Sequence, residues 1–249
     1  MTISVKEQVS YFIADLHLTE SRKDITECFL SFLSNEAVKA ENLYILGDLF
    51  EYWVGDDDDS GFVTLIASAL KALSLTGTQL FFIQGNRDFL LGHKYAQTCG
   101  MTLLNDVEKI SLYGTEYVIL HGDTLCIDDV DYQAFRKKSR SWWWQGIMKS
   151  LPLWLRKKIA DDYRKKSAHA NAAKSQEIMD VSQAEVIRTF ESYQVPFMIH
   201  GHTHRPAIHD VKINNQTVKR IVLGDWYEHG AWLKLSSSGF ELLDEPFGR

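Results

Sequence analysis

Three short apolar runs constrain this chain more than anything else in it: Tyr11-Phe12-Ile13-Ala14, Leu43-Tyr44-Ile45-Leu46 and Leu80-Phe81-Phe82-Ile83. Each is strand-length, shows no polar alternation and runs directly into a polar turn. Strands of that kind are buried on both faces, between layers of helix or a second sheet. Helical patterns follow the turns. Asp24-Ile25-Thr26-Glu27 has capping-box spacing, and Ile25, Phe29, Phe32 and Leu33 fall on one face beyond it. A second helix is expected over roughly 62–75. Strand, turn and helix in succession argue for βαβ crossovers and an α/β layered fold. Later, Lys109 to Gly114 and Glu116 to Leu120 predict an antiparallel hairpin about Gly114, Val195 to Ile199 a strand, and Asn214-Asn215 a second hairpin turn. The expected architecture is one α/β/β/α sandwich domain over 1–249 with a helical insertion at 130–180.

In such sheets, sites gather beyond the carboxyl ends of the strands. There the chain places Asp15 and His17, Asp48, Asn86, His121, and the pair His202 and His204. Residues two apart in extended chain share a face, so Asp15 with His17, and His202 with His204, can converge on one spot. Nitrogen and oxygen donors without thiolate suit Mn, Fe, Zn or Co. Seven side chains are too many for one ion and reasonable for two with a bridging carboxylate. Asp48, on a central strand, is the expected bridge. One ion would take Asp15, His17, Asp48 and His204, the other Asp48, Asn86, His121 and His202. Positions then stay open for a bridging hydroxide and a substrate oxygen, the arrangement that attacks phosphoryl groups.

Asp15-x-His17, Gly47-Asp48, Gly85-Asn86, His121 and Gly201-His202-Thr203-His204 together resemble the calcineurin-type metallophosphoesterase superfamily. The matching positions span 15 to 204, and the resemblance implies the same ligand scheme. One position departs from it. Most relatives carry Gly-Asn-His-Asp, where the histidine assists an alcohol leaving group; here Arg87 takes that place. An arginine does not usefully donate a proton near neutral pH, but it does stabilise phosphate charge. Arg87 therefore favours pyrophosphate cleavage, with a salt bridge to Asp88 or a neighbour as the competing role.

Cys28, Cys99 and Cys126 are scattered, without a Cys-x-x-Cys pair, which argues for reduced thiols and a cytosolic protein. Met1 to Ser10 shows no secretory pattern, and the longest nearly apolar stretch, Phe62 to Leu75, is too short to span a bilayer. Net charge is −6, yet Arg136 to Lys166 alone carries +9. That segment also holds Trp142-Trp143-Trp144, which fan over about 200° of a helix and cannot all face one core. With Met148, Leu151, Leu153, Trp154 and Leu155 it suits an anionic membrane surface or a lipid tail. A nucleic-acid platform uses similar residues, though bulky aliphatics stack poorly on bases. A plain helical hairpin with surface lysines is the third reading. Beyond it, Ser167, Asn171 and Lys174 share one helical face.

The run His121-Gly122-Asp123-Thr124-Leu125-Cys126-Ile127-Asp128-Asp129, then Tyr132-Gln133-x-Phe135-Arg136 and the aromatic-basic insertion, are similar to the UDP-2,3-diacylglucosamine diphosphatases of lipid A biosynthesis. Ile127 stands where a small polar residue is expected. The resemblance implies Asn86, Arg87 and His202 as catalytic residues, and Asn86, Arg87, Asp129, Ser167, Asn171, Lys174 and His202 as substrate-binding. It also implies two Mn²⁺ per site, cleavage to UMP and 2,3-diacylglucosamine 1-phosphate, and peripheral placement at the cytoplasmic face of the inner membrane. Neither nucleic acid nor an obligate protein partner is expected. A soluble nucleotide pyrophosphatase or phosphodiesterase, and a metal-free scaffold, are the competing readings.

Overall fold

The computed structural model describes residues 7–173 and 180–247, with side chains for all of these except 7 and 166–173. In chain order it runs β1 (Glu7–Ile13), α1 (Lys23–Asn35), β2 (Ala40–Ile45), α2 (Gly61–Leu75), β3 (Gln79–Phe82), α3 (His93–Cys99), β4 (Met101–Leu103), β5 (Val107–Leu112) and β6 (Thr115–Leu120). The insertion follows as α4 (Val130–Ser139), α5 (Trp142–Ser150) and α6 (Leu153–Ala173). Then come α7 (Gln183–Tyr193), β7 (Phe197–His200), β8 (Ala207–Ile213), β9 (Gln216–Val222), β10 (His229–Ser236) and β11 (Gly239–Pro246). One sheet has the order β11-β10-β1-β2-β3-β4, the other β5-β6-β7-β9-β8. β1 to β4 are parallel, as are β6, β7 and β9.

Strand alternation sorts the side chains between cores. Tyr11, Ile13, Leu43, Ile45, Leu80 and Phe82 face α1 and α2, meeting Ile25, Phe29, Ile66 and Leu70. Their neighbours Phe12, Ala14, Tyr44, Leu46 and Ile83 face the second sheet, against Tyr117, Ile119, Ile199 and Ile221. Val118, Leu120 and Met198 turn the other way, onto Val186 and Phe190 of α7. This is the expected α/β/β/α sandwich, with apolar runs where both faces of a strand are covered. Both hairpins form where expected. Tyr113-Gly114 and Asn214-Asn215 have positive φ at both central positions, as the favoured two-residue hairpin turns require.

The capping box does not form. α1 begins at Lys23 with Arg22 as its cap and no side-chain cap bond. Asp24 lies inside the first turn, where its carboxylate pairs with Arg22 at 2.7 Å. Among the described residues, no helix is long and apolar enough to cross a membrane.

Candidate metal centre and cavity

All seven expected ligands lie within four residues of a strand end, from both sheets at the same edge of the sandwich. Five adopt left-handed backbone: Asp15 (φ 55°), His17 (50°), Asp48 (52°), His202 (70°) and His204 (54°). For non-glycine residues this conformation costs roughly 1–2 kcal/mol each and persists only where the surroundings impose it. Here neighbouring turns impose it. Asp15 N–H donates to Gly47 O at 3.1 Å and His17 N–H to Asp48 O at 3.0 Å. His202 N–H donates to Asp15 Oδ2 at 2.6 Å. Two glycines allow the close approach. A Cβ on Gly85 would lie 2.1 Å from Asp48 Oδ1, and one on Gly201 2.4 Å from Asp15 Oδ2.

Among the described residues two groups of donors result, each with ligand atoms within 4.8 Å of one another: Asp15, His17 and His204, and Asp15, Asp48 and His121. Asp15 thus belongs to both groups, whereas Asp48, the expected bridge, lies in the second alone. Asn86 Oδ1 is 2.8 Å from His121 Nε2, and the His121 and His202 rings are 5.0 Å apart, completing the second group. The donor atoms are aimed as a cation requires. His121 Nδ1 donates to Leu46 O at 2.8 Å, so in the neutral ring Nε2 is an acceptor. That lone pair faces two more acceptors, Asn86 Oδ1 and, at 3.8 Å, Asp48 Oδ1. His17 Nε2 and His204 Nε2 approach to 3.4 Å, and buried Asp15 Oδ1 has no hydrogen-bond partner. Acceptors left facing one another are costly unless a cation lies among them. The residues present fit two divalent ions.

Electrostatics agree. Burial opposes ionisation of Asp15, but the His204 imidazole 3.5 Å away and the charges of His121, His204 and His17 hold its carboxyl below the usual range. Burial, helped by the charge of His121, pushes His202 down to about 4, leaving a neutral imidazole with a lone pair to give.

Four carboxylates support the ligands in roles that the sequence alone does not assign. Asp88 takes the N–H groups of Gly85 (2.8 Å), Leu49 (2.7 Å) and Asp48 (3.2 Å), tying two ligand turns together. Its partners are these backbone amides, and it forms no ion pair with Arg87. Asp225 Oδ2 lies 3.3 Å from His204 Nδ1 and Glu51 Oε2 3.3 Å from His17 Nδ1, the placement that turns each Nε2 toward a metal. Asp123 accepts Tyr132 Oη at 2.6 Å and Arg136 Nε at 2.8 Å. Gly224-Asp225 follows the apolar Ile221-Val222-Leu223. The same strand-then-Gly-Asp pattern that marks Asp48 could have found it.

Beside the ligands opens a cavity of about 560 Å³, lined at one end by Asn86, Arg87, His202 and His204 and elsewhere by Phe89, Leu90, Phe135, Trp144, Met148, Ile159 and Tyr163. Arg87 lines it with a buried Nε that has no hydrogen-bond partner among the described residues. Asp129, which caps α4 by accepting Tyr132 N–H at 3.1 Å, also reaches it. The insertion forms one wall, with Arg156 of α6 2% exposed and paired with Asp57, its Nη1 donating to Val54 O at 2.7 Å. Of the insertion's four tryptophans, Trp144 lines the cavity, against Phe89, while Trp142 (86% exposed), Trp143 and Trp154 face outward. The aromatic run therefore divides between the cavity wall and the exposed surface. The Ser167 and Asn171 side chains and all of Lys174 lie outside the described residues.

Clustered acidic and imidazole donors at the strand ends of a two-sheet sandwich define a metallophosphoesterase, and residues 10–206 match the family model of calcineurin-like phosphoesterases. Within that class the chain belongs to the UDP-2,3-diacylglucosamine hydrolase family. It is 54% identical to the Vibrio parahaemolyticus UDP-2,3-diacylglucosamine hydrolase over 236 residues, 95% of this chain and 98% of that one. It is 52% identical to a Vibrio vulnificus relative of the same name, over 95% of this chain and 97% of that one. A further Escherichia coli relative of that name is 50% identical over 95% of this chain and 98% of its own length.

Proposed function

We propose that this chain hydrolyses UDP-2,3-diacylglucosamine, with water attacking the α-phosphorus to give UMP and 2,3-diacylglucosamine 1-phosphate. The observation that carries this reading is the single cavity running from the metal ligands and Arg87 to an apolar wall shared by the core and the insertion. A diphosphate and an acyl chain need those two environments side by side. Two divalent ions, assigned as manganese, would supply Lewis acidity and a water nucleophile active near neutral pH. Asp15, His17, Asp48 and His204 would hold one, and Asp48, Asn86, His121 and His202 the other. Arg87 offers its guanidinium fork to the departing sugar phosphate, which leaves without needing a proton. Asp129 reaches the cavity where the glucosamine would lie, and Ser167, Asn171 and Lys174 are assigned to the same product by resemblance alone.

Hydrolysis in ¹⁸O-water tests the attack position. The label is expected in UMP, and label in the sugar phosphate would contradict it. Lipid-free UDP-glucosamine, cleaved as efficiently as the acylated substrate, would favour a soluble nucleotide pyrophosphatase. Arg87→His is expected to lower kcat on the acylated substrate without creating phosphomonoesterase activity, because a mostly neutral imidazole has no fork of donors. Wild-type kcat in that variant would remove Arg87 from the mechanism.

We further propose peripheral binding to anionic inner-membrane lipid, with the chain on the cytoplasmic face. Exposed Trp142, Trp143, Ile147 and Trp154 on a segment of strongly positive charge support it. Replacing Trp142 and Trp154 together by Ser is expected to weaken sedimentation with anionic vesicles while sparing turnover in detergent. Unchanged vesicle binding would refute the surface assigned here.

A further inference from the structure

The insertion does more than wall the cavity. We propose that Arg140, at the end of α4, is a positioning residue for the metal centre, clamping the main chain of the Gly85-Asn86-Arg87 turn so that Asn86 meets His121. This rests on the two-metal reading of the site and is independent of the substrate.

The turn is gripped from two sides. On the inner side Asp88 takes Gly85 N–H, and Asp48 Oδ1 takes Arg87 N–H at 2.7 Å. On the other side Arg140 Nη2 donates to Gly85 O at 3.1 Å and Gln84 O at 3.3 Å, while Nη1 donates to Gln84 Oε1 at 3.2 Å. The carbonyls just before Asn86 thus have a charged, planar partner whose donors are fixed relative to one another. A lysine ammonium is a point charge and cannot reproduce that fork.

Arg140 is itself held in place. Nη1 also donates to Asp106 Oδ1 at 2.8 Å, and Asp106 Oδ2 receives Arg136 Nη2 at 2.7 Å. Arg136 Nε then donates to Asp123, two residues beyond His121. Gln133, also on α4, donates to Asp123 O at 2.8 Å and Cys126 O at 3.0 Å. One face of α4 therefore staples the turn bearing Asn86 to the turn bearing His121. Across that staple Asn86 Oδ1 and His121 Nε2 are 2.8 Å apart. The Arg140 side chain is 13% exposed, so its bonds form largely away from water and weigh more than a surface pair would. Seating of the insertion and alignment of one metal position become a single equilibrium.

Titration of metal-free protein with Mn²⁺, followed by electron paramagnetic resonance, tests this without substrate. Wild type is expected to fill both positions and give the signal of a coupled pair. Arg140→Met should weaken uptake of the second ion by roughly 10- to 100-fold, the usual effect of losing support to a ligand. Isolated Mn²⁺ should then dominate at two equivalents. Arg140→Lys and Asp106→Asn, which keep part of the clamp, should fall in between. On acylated substrate at fixed metal, kcat should drop with KM changed less than about twofold. A purely structural role predicts a lower melting temperature of the metal-free protein with unchanged second-ion affinity, and that result would overturn the proposal. Should Arg140→Met not fold, wild-type second-ion affinity in both Arg140→Lys and Asp106→Asn would overturn it equally. Because no substrate enters the titration, a wrong substrate assignment would leave its outcome untouched.

Discussion

Asp48→Ala is expected to lose both metal ions and to lower kcat/KM by roughly 1,000-fold or more, since stabilisation of several kcal/mol from the ions disappears together. Asp48 is 1% exposed within the second donor group, with Oδ1 3.8 Å from His121 Nε2 and held by Arg87 N–H. His17→Ala removes a donor from one group only and should mainly weaken one ion. Elemental analysis of the two purified variants separates these cases. Equal metal loss would defeat Asp48 as the shared ligand and shift that role to Asp15, which lies in both groups.

Trp144→Ser should lower kcat/KM on acylated substrate by about 10- to 100-fold, because loss of one large apolar contact with lipid is worth about 1.5–3 kcal/mol. Its ring packs 5.9 Å from Phe89 on the cavity wall. Turnover of a small lipid-free phosphodiester should barely change. A side chain that only holds the helix in place predicts a lower melting temperature and equal losses on both substrates. That pattern would sink the acyl-wall assignment.

The layered fold was legible because Phe12 with Tyr11, and Tyr44 with Leu43, must bury opposite faces of the same strands, which only covered sheets allow. The ligands were legible for a related reason: the chain repeats one grammar, apolar strand, glycine, polar donor, at Asp48, Asn86 and His202. What failed was local or distant. The Asp24–Glu27 capping signal lost to an ion pair with Arg22, an outcome that two residues of sequence do not decide. Trp144 parts from Trp142 because α5 presents one face to Phe89 and the other to solvent, and that orientation depends on α4 and α6. The left-handed backbone at Asp15, His17, Asp48, His202 and His204 was invisible, since none of these residue types demands it. Arg140 lies 54 residues from Asn86 in sequence, and no spacing rule links the two.

The central claim is that donors from the strand ends of both sheets form one two-ion centre for pyrophosphate hydrolysis. It is tested most directly by adding Mn²⁺ stepwise to metal-free protein while following UMP release from UDP-2,3-diacylglucosamine. Activity is expected to stay low through the first equivalent, rise with the second and level off there. Full activity after one equivalent, or undiminished turnover in excess chelator, would contradict it.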